Sequence, residues 1–170
     1  MKPPKWLGKY PVLPIINQAT PDEALLIAEA LMQGGVEIME ITLRSDLAKD
    51  SLIAVRREFP ELIIGAGSVI NPEQIEWIKE VGLDFSVSPG WSDVCWQKAN
   101  SLNLPLFPGI MTPTELMHAI NSGCMNPKIF PIAPLGGIEF LQALLAPFRK
   151  TELQCLPTGG IKQNQVSEYL

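Results

Sequence analysis

The stretch Thr20–Leu43, TPDEALLIAEALMQGGVEIMEITL, holds one helix followed by one strand. Thr20 can cap a helix, Pro21 suits its first turn, and Gly34 with Gly35 ends it. The run VEIMEITL that follows is apolar on both faces, as a parallel strand covered by helices must be. The stretch therefore predicts a fold in which helices and parallel strands alternate.

The same alternation recurs along the whole chain. The start signal of the first helix is repeated at Asn71-Pro72-Glu73 and at Thr112-Pro113-Thr114-Glu115. Short apolar runs of strand length lie between the amphipathic segments, and they are PVLPII (11–16), VEIMEITL (36–43), LIIGAGS (62–68), FSVSPG (85–90), LPLFPGI (104–110), PKIFPI (127–132) and LQCLPTGG (153–160). Such a repeat indicates the α/β class, either as an open doubly wound sheet or as a closed (β/α)₈ barrel.

Two observations favour the barrel. No G-x-G-x-x-G follows the first strand, so the dinucleotide-binding form of the open sheet lacks its best marker. Residues able to do chemistry instead follow the C-terminal ends of several strands, where a (β/α)₈ barrel places its site. Because the chain has only seven strand runs, we expect a TIM barrel without its eighth strand and helix, forming one C-terminally incomplete domain over residues 1–170.

Composition excludes several classes of protein. The 170 residues are 46% hydrophobic and 18% charged, and no apolar stretch is long enough to span a membrane, which predicts a soluble globular domain. A formal net charge of -5 argues against nucleic acid as a partner.

Cys95, Cys124 and Cys155 are odd in number and widely spaced, which favours a reducing, cytoplasmic location, and no signal peptide is recognised. His118 is the only histidine, which argues against a histidine-based metal site or catalytic triad.

Lys128 is the first candidate catalytic residue, because it interrupts the apolar run PKIFPI. Burial on both faces of a strand disfavours a charged amine, and a neutral amine can attack a ketone to form a Schiff base. The alternative is a lysine on an exposed edge or one that extends past the strand end, since Pro127 and Pro131 flank it.

Glu40 is the second candidate catalytic residue, because this acidic side chain lies inside the apolar run VEIMEITL. A carboxyl enclosed by apolar neighbours has a raised pKa and can transfer protons near neutral pH; a structural ion pair with Lys128 or Arg44 is the alternative. Arg44 follows the strand, where its guanidinium can hold the carboxylate of a keto acid, although a solvated arginine near Asp46 explains it equally.

Two glycine-containing segments are further candidates. Thr158-Gly159-Gly160 ends the last strand and can bring backbone N–H groups to an anion, or it can be a plain turn. Gly65-Ala66-Gly67-Ser68 is either a close-packing barrel turn or a ligand loop that carries a hydroxyl. The four tryptophans are read as core and surface packing, although Trp91 lies where a top-face loop should run.

Taken in order, these motifs resemble the 2-keto-3-deoxy-6-phosphogluconate (KDPG) aldolase / 4-hydroxy-2-oxoglutarate (KHG) aldolase family of class I, Schiff-base aldolases. The matching pieces are PVLPI, GGVEIMEITLR, IIGAGSVINPEQ, FSVSPG, PLFPGIMTPTEL, KIFP, the Gly136-Gly137 pair and LPTGG. The resemblance implies a (β/α)₈ barrel, a homotrimer, no metal and no cofactor. It also implies a lyase that acts on small keto acids and sugar phosphates in the Entner-Doudoroff pathway.

Position by position, the resemblance implies Lys128 as the Schiff-base lysine and Glu40 as the general acid/base. It implies substrate-binding roles for the remaining candidates: Arg44, Ser68 in place of the usual threonine, Pro89 of S-P-G, Phe130 of K-x-F-P, Thr158, Gly159 and Gly160. After KIFP the family often continues A-E-x-x-G-G, whereas residues 132–135 here read IAPL. KDPG cleavage is therefore the leading prediction. The alternatives are cleavage of KHG or of the galactonate epimer of KDPG, or a catalytically silent barrel fragment that serves in assembly or binding.

Overall fold

The computed structural model describes residues 4–170. Its helices are Pro21–Gln33 (α1), Ala48–Glu58 (α2), Pro72–Val81 (α3), Asp93–Ser101 (α4), Pro113–Asn121 (α5), Gly137–Leu145 (α6) and Val166–Tyr169 (α7). Its strands are Ile15–Ile16 (β1), Ile38–Thr42 (β2), Ile63–Gly67 (β3), Phe85–Val87 (β4), Leu106–Phe107 (β5), Gly109–Ile110 (β6), Lys128–Ile129 (β7) and Leu156–Pro157 (β8). Short 3₁₀ helices lie at Ala133–Leu135, Ala146–Phe148 and Gln163–Gln165.

All strand pairs are parallel and follow chain order. One sheet runs β1-β2-β3-β4-β5 and the other runs β6-β7-β8. A single residue, Pro108, separates β5 from β6; proline has no N–H to donate, and its carbonyl accepts from the N–H of Lys128 at 2.9 Å. The predicted run 104–110 is thus one strand position that proline divides. The described strands fill seven positions of a (β/α)₈ barrel, which confirms the predicted fold class.

The helices begin where the sequence predicts. Each of α1, α3 and α5 starts with proline in its first turn and a capping box, formed by Thr20 with Glu23, Asn71 with Gln74, and Thr112 with Glu115. Such a cap satisfies backbone N–H groups that the helix itself leaves free, and it contributes about 1 kcal/mol. The caps fix where each strand-to-helix connection ends, and those connections carry the candidate residues.

Two apolar layers enclose the strands. Met39, Ile41, Ile64 and Ala66 point outward into the core shared with the helices. The alternate residues point into the barrel, because neighbours along a strand face opposite sides. Inside the barrel, Phe85 packs with other buried side chains of the strands in a separate cluster.

Residues 4–170 contain no helix that is both long and apolar enough to cross a membrane.

Candidate active site

Glu40 lies at the centre of β2 with its carboxyl inside the barrel. It is 1% exposed, and it stands level with Gly65 of β3, while its N–H donates to the carbonyl of Pro14 at 2.9 Å. The carboxyl occupies the space that a side chain at Gly67 would need, since a Cβ there would lie 2.7 Å from Glu40 Cδ. Gly67 therefore makes room for the buried carboxyl.

Lys128 opens β7, which has a neighbour on each side. It is 5% exposed and stands level with Gly109 of β6 and Leu156 of β8. Its Nζ lies 4.6 Å from the centre of the Phe130 ring, which follows two residues later on the same face. The structure therefore places this amine neither on an exposed edge nor beyond the strand end.

Burial controls the ionisation of both groups. Loss of hydration lowers the pKa of Lys128; the facing Glu40 opposes that effect, and Arg44 adds to it. Loss of hydration also raises the pKa of Glu40, and the positive charges of Lys128 and Arg44 partly offset that rise. Both shifts favour the uncharged forms, and no salt bridge joins the two side chains within residues 4–170. In its uncharged form the amine can add to a carbonyl, and the carboxyl can pass protons to and from the adduct.

Arg44 and Ser68 meet at the C-terminal ends of β2 and β3. Arg44 Nε donates to Ser68 Oγ at 2.7 Å, and Arg44 is otherwise exposed. Ser68 has a φ of 60°, in the left-handed region that non-glycine residues seldom adopt. This backbone conformation holds the hydroxyl against the guanidinium. The remaining guanidinium N–H groups of Arg44 make no hydrogen bond within residues 4–170 and can bind an anion. The structure does not pair Arg44 with Asp46, the partner that the alternative interpretation required.

The TGG segment lies against the residues that follow Lys128. Gly159 and Gly160 both have positive φ, and a Cβ at Gly160 would lie 2.7 Å from Ala133 Cβ. A Cβ at Gly159 would lie 3.0 Å from the Phe130 ring, so only glycine allows this approach. The Thr158 hydroxyl donates to the carbonyl of Leu156 at 3.1 Å, within its own segment.

Pro89 is exposed beyond β4, and its carbonyl abuts Gly109, where a side chain would overlap it. The structure thus brings Glu40, Lys128 and Arg44 into mutual electrostatic reach, with Phe130 beside the amine. Pro89 and Thr158 follow β4 and β8, and within residues 4–170 no hydrogen bond joins either residue to the amine.

Sequence reasoning missed the role of Gly67 as the space for the Glu40 carboxyl. The available signal was a glycine inside a strand, which often marks a close approach. No group of three or more His, Cys, Asp or Glu side chains within residues 4–170 is arranged to hold a metal ion.

Comparison with known proteins gives a consistent result. The sequence profile of KDPG and KHG aldolase matches residues 5–170. The KHG/KDPG aldolase of Escherichia coli K12 is 39% identical over 160 residues, covering 94% of this chain and 74% of that protein. The 2-dehydro-3-deoxy-phosphogluconate aldolase of Dickeya dadantii is 38% identical over the same coverage. The crystal structure of KDPG aldolase from Legionella pneumophila, with pyruvate captured as a covalent carbinolamine, matches with a TM-score of 0.88 and 37% identity, covering 94% of this chain and 77% of that one.

Proposed function

Since this chain belongs to the KDPG and KHG aldolase family of carbon–carbon lyases, we propose that it is a class I aldolase that cleaves 2-keto-3-deoxy-6-phosphogluconate to pyruvate and glyceraldehyde 3-phosphate. The observation that carries the proposal is the buried amine of Lys128, whose pKa is lowered by loss of hydration and which faces the buried Glu40 carboxyl. Schiff-base aldol cleavage uses an amine nucleophile and a proton carrier, and these two groups can supply both.

In the proposed reaction, the neutral amine of Lys128 adds to the C2 ketone, and Glu40 moves the protons that convert the carbinolamine to an iminium and water. The iminium accepts the electron pair of the C3–C4 bond as the C4 hydroxyl loses its proton, and glyceraldehyde 3-phosphate leaves. The remaining enamine takes a proton at C3. Water then hydrolyses the imine, which releases pyruvate and restores the amine.

Substrate contacts are proposed for the groups around the amine. Arg44, held by Ser68, suits the carboxylate of the keto acid, because a guanidinium binds carboxylates through two parallel hydrogen bonds. Phe130 covers one side of the amine. The backbone of Gly159 and Gly160 is proposed to bind the phosphate.

Pro89 and Thr158 are proposed to line the rest of the substrate site, on the family resemblance of S-P-G and LPTGG.

A second candidate substrate is 4-hydroxy-2-oxoglutarate. The relative in Escherichia coli K12 is named for both activities, and Ala133, within the apolar residues 132–135, stands beside Gly160 where the family often has a polar residue. Initial rates on both substrates, at equal concentration and pH, would rank them. We further propose a cytoplasmic homotrimer, on the family resemblance and on three cysteines that remain free thiols.

Borohydride trapping tests the proposed function. Reduction in the presence of pyruvate should add one reduced pyruvate unit to the wild-type protein, on the peptide that contains Lys128. Lys128→Met should abolish the adduct, and Lys49→Met, which removes an exposed lysine, should retain it. Failure of the folded wild type to form an adduct would refute the proposal and favour a silent barrel. An adduct on another lysine would refute the assignment of Lys128 as the nucleophile.

A further inference from the structure

Three aromatic rings close the interior of the barrel at the N-terminal ends of its strands. Trp6 lies 5.2 Å from Phe85 and 5.9 Å from Phe107, and the two phenylalanines lie 5.9 Å apart, edge to face. Phe85 and Phe107 are fully buried inside the barrel. We refer to Trp6, Phe85 and Phe107 as the aromatic floor.

The aromatic floor adjoins the strand positions that carry the two buried ionisable groups. Phe85 rests on Gly65, where any side chain would overlap its ring, and Gly65 stands level with Glu40. Leu156 stands level with Lys128 and belongs to the same apolar cluster as the floor. The C-terminal side of the amine is where substrate must enter, so the floor is the barrier to water on the opposite side.

Trp6 is the one member of the floor that no strand or helix holds. It belongs to a turn segment in which Leu7 N–H donates to Pro4 O and Lys9 N–H donates to Trp6 O, each at 3.0 Å. The segment is tied to the start of β2, where Lys9 and Tyr10 both hydrogen-bond to Glu37. These bonds are at the exposed surface, and the segment packs against the barrel interior through the partly buried side chains of Trp6, Leu7 and Tyr10.

We propose that Trp6 is a positioning residue for the chemistry of Lys128: its indole seals the N-terminal end of the barrel and keeps water from Lys128 and Glu40. The inference rests on the proposed function, since it assigns Trp6 a part in the loss of hydration that favours the uncharged nucleophile. Loss of hydration is the largest cause of the lowered pKa of Lys128. The charged groups that act on this amine are Glu40 and Arg44. Without the indole of Trp6, no ring covers Phe85 and Phe107. Water that enters from the N-terminal end of the barrel can then hydrogen-bond to the Lys128 amine and the Glu40 carboxyl.

The test is the pH dependence of imine formation with pyruvate, followed by borohydride trapping, in the wild type, Trp6→Ala and Trp6→Phe. Trp6→Ala should move the midpoint upward by about one pH unit and slow trapping near neutral pH about tenfold, because each unit of amine pKa changes the neutral fraction tenfold. Trp6→Phe, which keeps a ring on the floor, should restore most of the wild-type profile. Leu144→Ala is the control, since it weakens a separate apolar cluster and should lower thermal stability without moving the midpoint.

A folded Trp6→Ala protein with the wild-type midpoint would overturn the inference and make Trp6 a packing residue only. If Trp6→Ala does not fold, Trp6→Leu takes its place with the same two outcomes. A wild type that forms no adduct at Lys128 would overturn the proposed function as well, which separates that failure from one confined to Trp6.

Discussion

Gly67→Ala should impair catalysis by displacing one carboxyl. Gly67 ends β3, and its φ lies outside the left-handed region, so alanine is allowed by the backbone. The new methyl group would lie 2.7 Å from Glu40 Cδ and 3.0 Å from Glu40 Cγ, and nearer still to Oε1. The substitution therefore acts on the position of Glu40 and leaves its chemistry unchanged.

The size of the effect follows from these distances. Carbon atoms in contact normally lie about 3.5 to 4.0 Å apart, so the carboxyl must retreat by about 1 Å. A displacement of that size in a reacting group costs about 100-fold in rate, which corresponds to about 2.7 kcal/mol of transition-state free energy. Overpacking of the buried site should also lower the free energy of unfolding by about 1 to 3 kcal/mol.

The assay is kcat for pyruvate release, measured beside the free energy of unfolding in urea. Gly34→Ala is the matched control, because it adds the same methyl group at the end of α1, where the nearest atom is Leu31 O at 3.3 Å. Its kcat should equal that of the wild type. Adding Gly67→Ala to Glu40→Gln should cost little more than Glu40→Gln alone, since both act through one carboxyl. A folded Gly67→Ala protein with wild-type kcat would refute the role of Glu40 as proton carrier.

Three further predictions address the guanidinium, the titration of the carboxyl and the scaffold. Arg44→Ala should raise KM for pyruvate-type substrates while urea denaturation stays near wild type, and an unchanged KM would remove Arg44 from the site. Because burial raises the pKa of Glu40, the folded protein keeps a proton that the unfolded chain loses above about pH 4.3, so stability falls as pH rises from there. The stability of Glu40→Gln relative to the wild type should therefore increase as pH rises above about 4.3 in urea titrations, whereas a constant difference would contradict the raised pKa. Asp84→Ala removes the partner of Arg56 and an acceptor of the Ile64 N–H, and it should cost about 1 to 3 kcal/mol by calorimetry with kcat unchanged; loss of kcat at full stability would contradict this assignment.

Local signals were sufficient to predict the order of elements. The pair Thr20 and Glu23 predicts the start of a helix, because capping depends on residues close in sequence. The helix begins at Pro21 as expected. The run 104–110 was predicted as one strand, whereas Pro108 divides it into two paired segments. The run 11–16 yields only Ile15–Ile16 as a paired strand. Strand length depends on which neighbours supply hydrogen bonds, and that information is not local.

The candidate site was predictable where a polar residue contradicts its apolar surroundings. Lys128 and Glu40 could be singled out because charge inside a buried strand is rarely tolerated without a purpose. The interaction of Arg44 with Ser68, and the space that Gly67 leaves for Glu40, depend on register between strands that sequence spacing does not determine. Trp6 was interpreted as general packing for the same reason, since only the fold brings the N-terminal segment under the barrel.

The proposed chemistry depends on the pKa of Lys128 in the free protein, which can be measured by NMR on protein labelled at the lysine side chains. Lys128→Met identifies the signal by its absence. Because burial disfavours the charged amine, we expect a midpoint below the ordinary value of about 10.4. A midpoint at or above that value would show a hydrated or ion-paired ammonium and would contradict the account.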